Sequence, residues 1–199
     1  MHTRVITIRG VNDIDEAVTF LGGEPQSIVR SQRGYKGMTA SADRSSGVFG
    51  ILSLWATEAD RDASDGAMAK TREEVARQFG TDLTVENFEE RVVEISRPPT
   101  VGCRLLVIRF EVDPAVVDDT LEYYRREVVP QITSAPGFRT LRNMVNPQTG
   151  EGIAGSVWDD EATLQAAAEA ALNRREVAAA RGVSFGETSL REIVSVDLG

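Results

Sequence analysis

The stretch Ser53-Leu54-Trp55-Ala56-Thr57-Glu58-Ala59 returns as Ser156-Val157-Trp158-Asp159-Asp160-Glu161-Ala162, 103 residues later. Each copy is an apolar run closed by a tryptophan, then a polar helix start, then a long Ala-rich helix. In a chain of 199 residues that offset is about half the length. The chain must therefore build one architecture twice. The same offset pairs Gly34 with Gly137, Tyr35 with Phe138 and Glu58 with Glu161. Before the first helix the best sequence match shifts to 100, pairing Arg4 with Arg104 and Arg9 with Arg109, so the second copy reads as three residues longer.

Within each half the pattern predicts strand–helix–strand–strand–helix–strand. Arg4–Arg9 is β-branched and bounded by charge, a strand signature. Asp13 with Glu16 three residues on is a capping-box pattern that opens a helix. Gly22-Gly23 and Pro25 interrupt that helix. Strands follow from Gly34 to about Ala42 and over Val48–Trp55, split by turn residues at 43–47. Thr57 caps a helix to about Phe79 whose expected inner face is Ala59, Ala63, Ala67, Met68, Thr71, Val75 and Phe79. Gly80 ends it, and Glu90–Ser96 is the fourth strand.

Pro98 and Pro99 exclude helix and central strand, so 98–102 is the linker between repeats 1–97 and 103–199. The order then recurs. Leu105–Phe110 is a strand, and Asp113-Pro114 starts a helix. Val117, Leu121, Tyr124 and Val128 share one helical face. Strands follow at Arg139–Val145 and Ile153–Trp158, a helix spans Asp160–Arg181, and Leu190–Leu198 closes the half.

This order defines a split βαβ, ferredoxin-like unit, with both helices on one face of a four-stranded antiparallel sheet. Val48–Trp55 and Leu105–Phe110 are apolar on both faces, so the uncovered sheet face would be oily. The expected solution is α+β: two tandem ferredoxin-like units packed sheet to sheet within one chain.

Composition narrows the function. Residues 1–99 carry 12 Lys/Arg against 16 Asp/Glu, and residues 100–199 carry 10 against 15. A net charge of −9 spread over both halves leaves no basic face for nucleic acid or an anionic membrane. Cys103 is alone, which excludes an intrachain disulfide and fits a cytoplasmic setting. Arg4 and Arg9 break up the first residues, so these are not expected to form a signal peptide. One histidine and one cysteine exclude Ser-His-Asp, Cys-His and zinc-cluster chemistry. Gly150-Glu151-Gly152-Ile153-Ala154-Gly155 has the spacing of a dinucleotide fingerprint, but it precedes a strand instead of opening a helix.

The strand–Trp–polar cap–Glu–Ala–helix run, set twice in this element order, resembles the dimeric α/β-barrel superfamily, and within it the antibiotic-biosynthesis-monooxygenase-like domains. Most members pair two identical chains; this chain resembles a fused pair, and a homodimer of that pair stays open. The resemblance implies a cofactor-independent monooxygenase acting on a small aromatic or polyketide-like molecule. Its alternative is a non-catalytic small-molecule-binding or stress-related module with degenerate pockets. Haem-degrading members carry a histidine where Ser64 and Ala167 stand, so no haem and no other cofactor is expected. Cofactor-free oxygenases carry an asparagine where Ile51 and Ala154 stand. The resemblance places Trp55 and Trp158 beside a pocket between sheet and helices. Polar residues expected near the second pocket are Tyr124, Asn143, Arg142 and Arg109. The longer first helix and the more polar strands rank that second pocket first.

Overall fold

The computed structural model describes residues 1–79 and 82–199. Gly80, the expected end of the long helix, lies outside the described residues. Two compact units form: one holds Met1–Asn87 and Glu192–Gly199, the other Phe88–Arg191. Among the described residues there are eight strands, and the pairings within each unit are antiparallel. The architecture is α+β.

In the first unit β1 (His2–Arg9) and β2 (Tyr35–Asp43) flank β3 (Val48–Trp55). Helices α1 (Ile14–Leu21) and α2 (Glu24–Arg30) join β1 to β2, and α3 (Glu58–Phe79) follows β3. Asp13 caps α1 by accepting from the Glu16 backbone N–H at 2.9 Å. In the second unit β5 (Arg104–Val112) and β6 (Phe138–Val145) flank β7 (Glu151–Trp158). Their first helix has three pieces: α4 (Val117–Tyr123), a π-helical turn (Tyr124–Val128) and α5 (Val129–Thr133). The second is also divided, into α6 (Glu161–Asn173) and α7 (Arg175–Ala179), where the sequence predicts one helix to Arg181.

The fourth strands are longer than expected and are shared between units. β4 (Asp82–Ile95) and β8 (Val183–Asp197) begin some seven or eight residues before the segments read as strand. The C-terminal half of β4 pairs with β6, placing Glu94 opposite Leu141 in the second unit. The C-terminal half of β8 pairs with β2, placing Asp197 opposite Met38 in the first unit. The compact units are thus not the two sequence repeats. Each repeat gives the end of its fourth strand to the other unit.

Strand register also corrects the repeat alignment. His2 lies opposite Trp55 and Arg104 opposite Trp158, so the first strands correspond at an offset of 102. Arg4 therefore corresponds to Leu106, not to Arg104. The second repeat shortens the link between strand and first helix, and adds residues inside that helix.

The register explains a second correction. Arg4 is buried, and its guanidinium donates to Ser64 Oγ at 2.9 Å, the Arg61 carbonyl at 3.0 Å and Asn87 Oδ1 at 3.3 Å. A buried guanidinium needs such acceptors. Helix α3 is turned to supply them, so its buried stripe runs through Arg61, Ser64 and Thr71 while Ala59, Ala63 and Ala67 are exposed.

The repeated motif forms the same corner in both units. Two residues apart on a strand share a face. Hence Ser53 Oγ accepts from Trp55 Nε1 at 3.0 Å, and Ser156 Oγ from Trp158 Nε1 at 2.9 Å. Tyr35 and Phe138 meet these indoles edge-on, each at 5.8 Å between centroids. Gly34 and Gly137 both have positive φ, 75° and 79°. A Cβ on either would lie within 2.6 Å of the side chain at the third position of the following helix start, Asp60 or Thr163.

The last strand is held to the first unit by a buried carboxylate. Asp197 accepts from Arg30 Nε and Nη2 at 2.6 and 2.7 Å, and from the Tyr35 hydroxyl at 2.8 Å. The Arg30 hydrogen bonds, with Tyr35 adding to them, pull the Asp197 pKa down to about 2 against the cost of burial. A carboxylate whose folded pKa lies below its unfolded value, near 3.9, stabilises above the latter. That stability is fully present above about pH 4 and fades towards pH 2. Asp197→Asn is expected to flatten the fall in thermal stability between those pH values, measured by circular dichroism melts. An unchanged slope would exclude Asp197 as a contributor. Gly137→Ala, which adds both a positive-φ penalty and an overlap with Thr163, is expected to cost about 1–3 kcal/mol in denaturant unfolding.

Candidate functional site

A cavity of about 280 Å³ opens inside the second unit, between its sheet and helices. Its floor is β-sheet: Ile108 and Phe110 from β5, Asn143 and Val145 from β6, and Ala154 from β7. Leu121, Tyr124, Val128 and Ile132 come from the first helix, and Ala171, Arg174 and Ala178 from the second. Val183 and Phe185 of β8 complete the wall. Apolar side chains thus surround a few polar ones, the ordinary make-up of a small-molecule site.

The matching space in the first unit is nearly filled. It measures about 50 Å³ and is lined by Ile51, Met68, Thr71 and Val75 among others. At the 103 offset these residues correspond to Ala154, Ala171, Arg174 and Ala178. Three large-to-small exchanges open the second cavity, and the fourth adds a cation. A shallow depression of about 360 Å³ at the start of α3 is lined by Gln32, Thr57, Asp60 and Ser64; its Arg33 and Asp60 already pair at 3.3 Å.

The polar groups of the large cavity gather around Tyr124. Its ring is on the buried stripe because the helix changes geometry there. Pro130 has no N–H to bond the carbonyl of Arg126, so the α-helical ladder cannot run through. The chain forms a π turn from Tyr124 to Val128, a geometry common at functional sites. Burial is the main cause that pushes the Tyr124 pKa up to about 12. Arg174 and a hydrogen bond from Asn143 act the other way. The phenol is therefore protonated at neutral pH. An interaction that favours the phenolate identifies Asn143 as the donor to the hydroxyl oxygen. The Tyr124 O–H remains available to donate.

Asn143 is 5% exposed, and its side-chain oxygen has no hydrogen-bond partner. Leaving a buried acceptor unmet costs about 1–3 kcal/mol. Arg174 caps the C-terminus of α6 and is half-buried. Burial lowers its pKa, and the only charge interaction opposing that shift is with Tyr124. Arg181 lies over the Tyr123 ring, 3.7 Å from its centroid, on the cavity wall.

The sequence-expected site residues divide in two. Tyr124 and Asn143 line the cavity together. Trp158 is 3% exposed and packs in the core beside Leu164, outside the lining. Trp55 fills the equivalent corner of the first unit. Arg142, on the strand face opposite its neighbour Asn143, ion-pairs with the buried carboxylate of Glu90. Arg109 packs beside Gly186, also outside the lining. Sequence reasoning missed Arg174, Arg181 and Phe185. Arg174 was concealed by the expectation of an unbroken helix, although the exchange of Thr71 for Arg174 at the repeat offset was a readable signal. Among the described residues no group of three or more His, Cys, Asp or Glu could hold a metal ion. No described helix is long and apolar enough to cross a membrane.

No protein-family model matches the chain. An uncharacterized protein of Mycobacterium tuberculosis is 23% identical over 194 residues, covering 97% of this chain and 84% of its own. Among solved structures, a candidate monooxygenase from Lactobacillus acidophilus matches with a TM-score of 0.68 at 13% identity, covering 98% of this chain and 95% of its own. An anthrone oxidase-like protein matches with a TM-score of 0.68 at 19% identity, covering 100% and 94%. A ferredoxin-fold protein of Listeria monocytogenes related to antibiotic biosynthesis monooxygenases matches with a TM-score of 0.57 at 9% identity, covering 98% and 96%. The chain has the fold of the antibiotic-biosynthesis-monooxygenase-like, ferredoxin-fold proteins over its whole length.

The cavity contrast is open to test. Ala154→Ile and Ala178→Val, which install the first unit's residues, are expected to close the second cavity. The readout is loss of xenon or benzene binding, seen as vanished ligand-induced methyl shifts by NMR. Retained shifts in the double variant would show that other residues set the cavity size.

Proposed function

We propose that the chain is a cofactor-independent, monooxygenase-like enzyme whose site is the cavity of the second unit. Its substrate class would be a small aromatic or polyketide-like molecule with an enolisable C–H. The observation that carries this reading is the buried, unpartnered Asn143 oxygen beside the Tyr124 hydroxyl in an otherwise apolar chamber. We further propose that repeats 1–97 and 103–199, joined by 98–102, pair sheet to sheet as an intrachain dimeric α/β barrel. Trp158 and Trp55 then brace the strand–helix corners, and Arg142 and Arg109 lie outside the chemistry.

The lining contains no Asp, Glu or His, and Tyr124 stays protonated. The cavity therefore lacks a general base. The substrate must lose its own proton to water and enter, or react, as an enolate. Tyr124 donates its O–H to the enolate oxygen, and Arg174 adds positive charge nearby. One electron passes from the enolate to O₂, giving a carbon radical and superoxide. Their recombination forms the C–O bond of a peroxide, which takes a proton. Cleavage of the O–O bond with loss of water leaves a carbonyl, so a CH₂ and O₂ become C=O and H₂O. The apolar walls exclude water from the radical pair.

Anthrone is a suitable probe. Oxygen uptake is expected with the wild-type chain, falling about a hundredfold or more in kcat in Tyr124→Phe, the usual scale for an oxyanion donor, with little change in KM. The pH profile is expected to follow the acidity of the substrate, because no cavity residue titrates near neutrality. The absence of catalysed uptake across a panel of enolisable aromatics would leave only the alternative, a non-catalytic binding module.

A further inference from the structure

Arg174 is the cation that the cavity's own residues leave unneutralised. The chain carries 31 acidic residues against 22 basic ones, yet the wall of this cavity includes Arg174 and Arg181 and no Asp or Glu. Many arginines elsewhere find carboxylates, such as Arg30 with Asp197, Arg97 and Arg139 with Asp159, and Arg61 with Glu58. Among the described residues no carboxylate pairs with Arg174. Arg181 is engaged with the face of Tyr123. The C-terminal carbonyls of α6 carry partial negative charge, which holds a cation at the cap without saturating its five donors. The site is specific to this unit, because the first repeat has Thr71 at the matching position.

We infer that Arg174 is the anchor for a carboxylate, so that the cavity selects an aromatic acid over its neutral analogues. The ring system lies against Ile108, Phe110, Leu121 and Ala154. The carboxylate meets the planar guanidinium, whose fork suits two-point binding. An adjacent ring hydroxyl donates to the unpartnered Asn143 oxygen. Arg174 and Asn143 line the same cavity as Tyr124, so one ring system carrying a carboxylate and a hydroxyl would address both contacts. A volume of about 280 Å³, at the low end for ligand sites, suits two or three fused rings. This substrate class rests on the reading of the same cavity as the enzyme's site, yet it concerns binding and is measured separately.

The probes are 3-hydroxy-2-naphthoate and its methyl ester, titrated into the full chain by calorimetry. The acid is expected to bind about tenfold to a hundredfold more tightly than the ester, the range for a hydrogen-bonded charged group. Arg174→Gln is expected to remove that preference by weakening the acid and leaving the ester unchanged. Arg174→Lys is expected to keep part of it. A purely structural arginine would instead weaken both probes equally, and that result overturns the inference. So does equal binding of acid and ester to the wild type, or binding of neither. If Arg174→Gln does not fold, Val177→Arg in the wild-type background serves: Val177 is on the lining yet 51% exposed, so a second cation at the rim is expected to raise the preference for the acid, and an unchanged preference counts against the anchor. A clear acid preference without oxygen uptake from any of a panel of enolisable aromatics, acids included, would retain the anion site and remove the oxygenase reading.

Discussion

An indole fastened to its own strand is what both units are arranged around. Trp55 and Trp158 each end a strand, where a large ring must turn inward without leaving its N–H unmet. A serine two residues back on the same face accepts that hydrogen at 3.0 or 2.9 Å. The neighbouring strand supplies an aromatic edge, a geometry worth about 0.5–1.5 kcal/mol beyond area burial. With the ring fixed, the chain can start the next helix directly above it. A glycine with positive φ then lets the facing strand pass beneath that helix start. The capping pairs, Thr57 with Asp60 and Asp160 with Thr163, exchange acid and hydroxyl between the same two positions and serve the same purpose. The two corners are thus alike in physical terms although their residues differ.

Much of this was legible because it is local. Tryptophan at a strand end and a cap three residues before its partner act within a few residues, so the middle strands could be placed almost to the residue. The fourth strands could not. Thr84-Val85-Glu86-Asn87 and Ser184-Phe185-Gly186-Glu187 contain too many polar groups and too little alternation to resemble strands. Their strand character comes from partners far away in sequence. Arg4 hid the turn of α3 for the same reason: no period in the helix itself announces a guanidinium arriving from β1. At the site, Tyr124 and Asn143 were readable as polar residues on apolar faces. Arg174 was readable only as an exchange for Thr71 between the repeats, because a helix without glycine or proline gives no sign of a break at its end.

The two halves show how one scaffold can be a filled core and an open chamber. Ile51, Met68 and Val75 occupy in the first unit the space that Ala154, Ala171 and Ala178 leave empty in the second. In the first unit Arg4 meets Ser64 and the Arg61 carbonyl, and Tyr35 meets Asp197, while His2 Nδ1, Thr7 Oγ1 and Arg72 Nη1 are buried without a hydrogen-bond partner among the described residues. The second unit replaces Arg4 with Leu106 and Tyr35 with Phe138, so neither contact can form there. Its polarity lies instead at the cavity, in Tyr124, Asn143 and Arg174. Packing has thus been divided, with the space filled in one repeat and open in the other.

Unmet groups in an apolar chamber have a physical meaning. A buried acceptor without a donor, and a half-buried cation without a carboxylate, both destabilise the fold relative to alanine or leucine at the same positions. The first repeat shows that such replacements are compatible with this architecture, since Ala40 and Thr71 stand where Asn143 and Arg174 do. The cost is therefore not imposed by the strand or the helix. It is recovered when a molecule brings the missing donor and the missing negative charge, because each bond then forms away from competing water. The chamber's shape limits how large such a molecule can be, and Tyr124, Asn143 and Arg174 are among the polar side chains it would meet. What sets the second repeat apart is the open space beside its unmet groups.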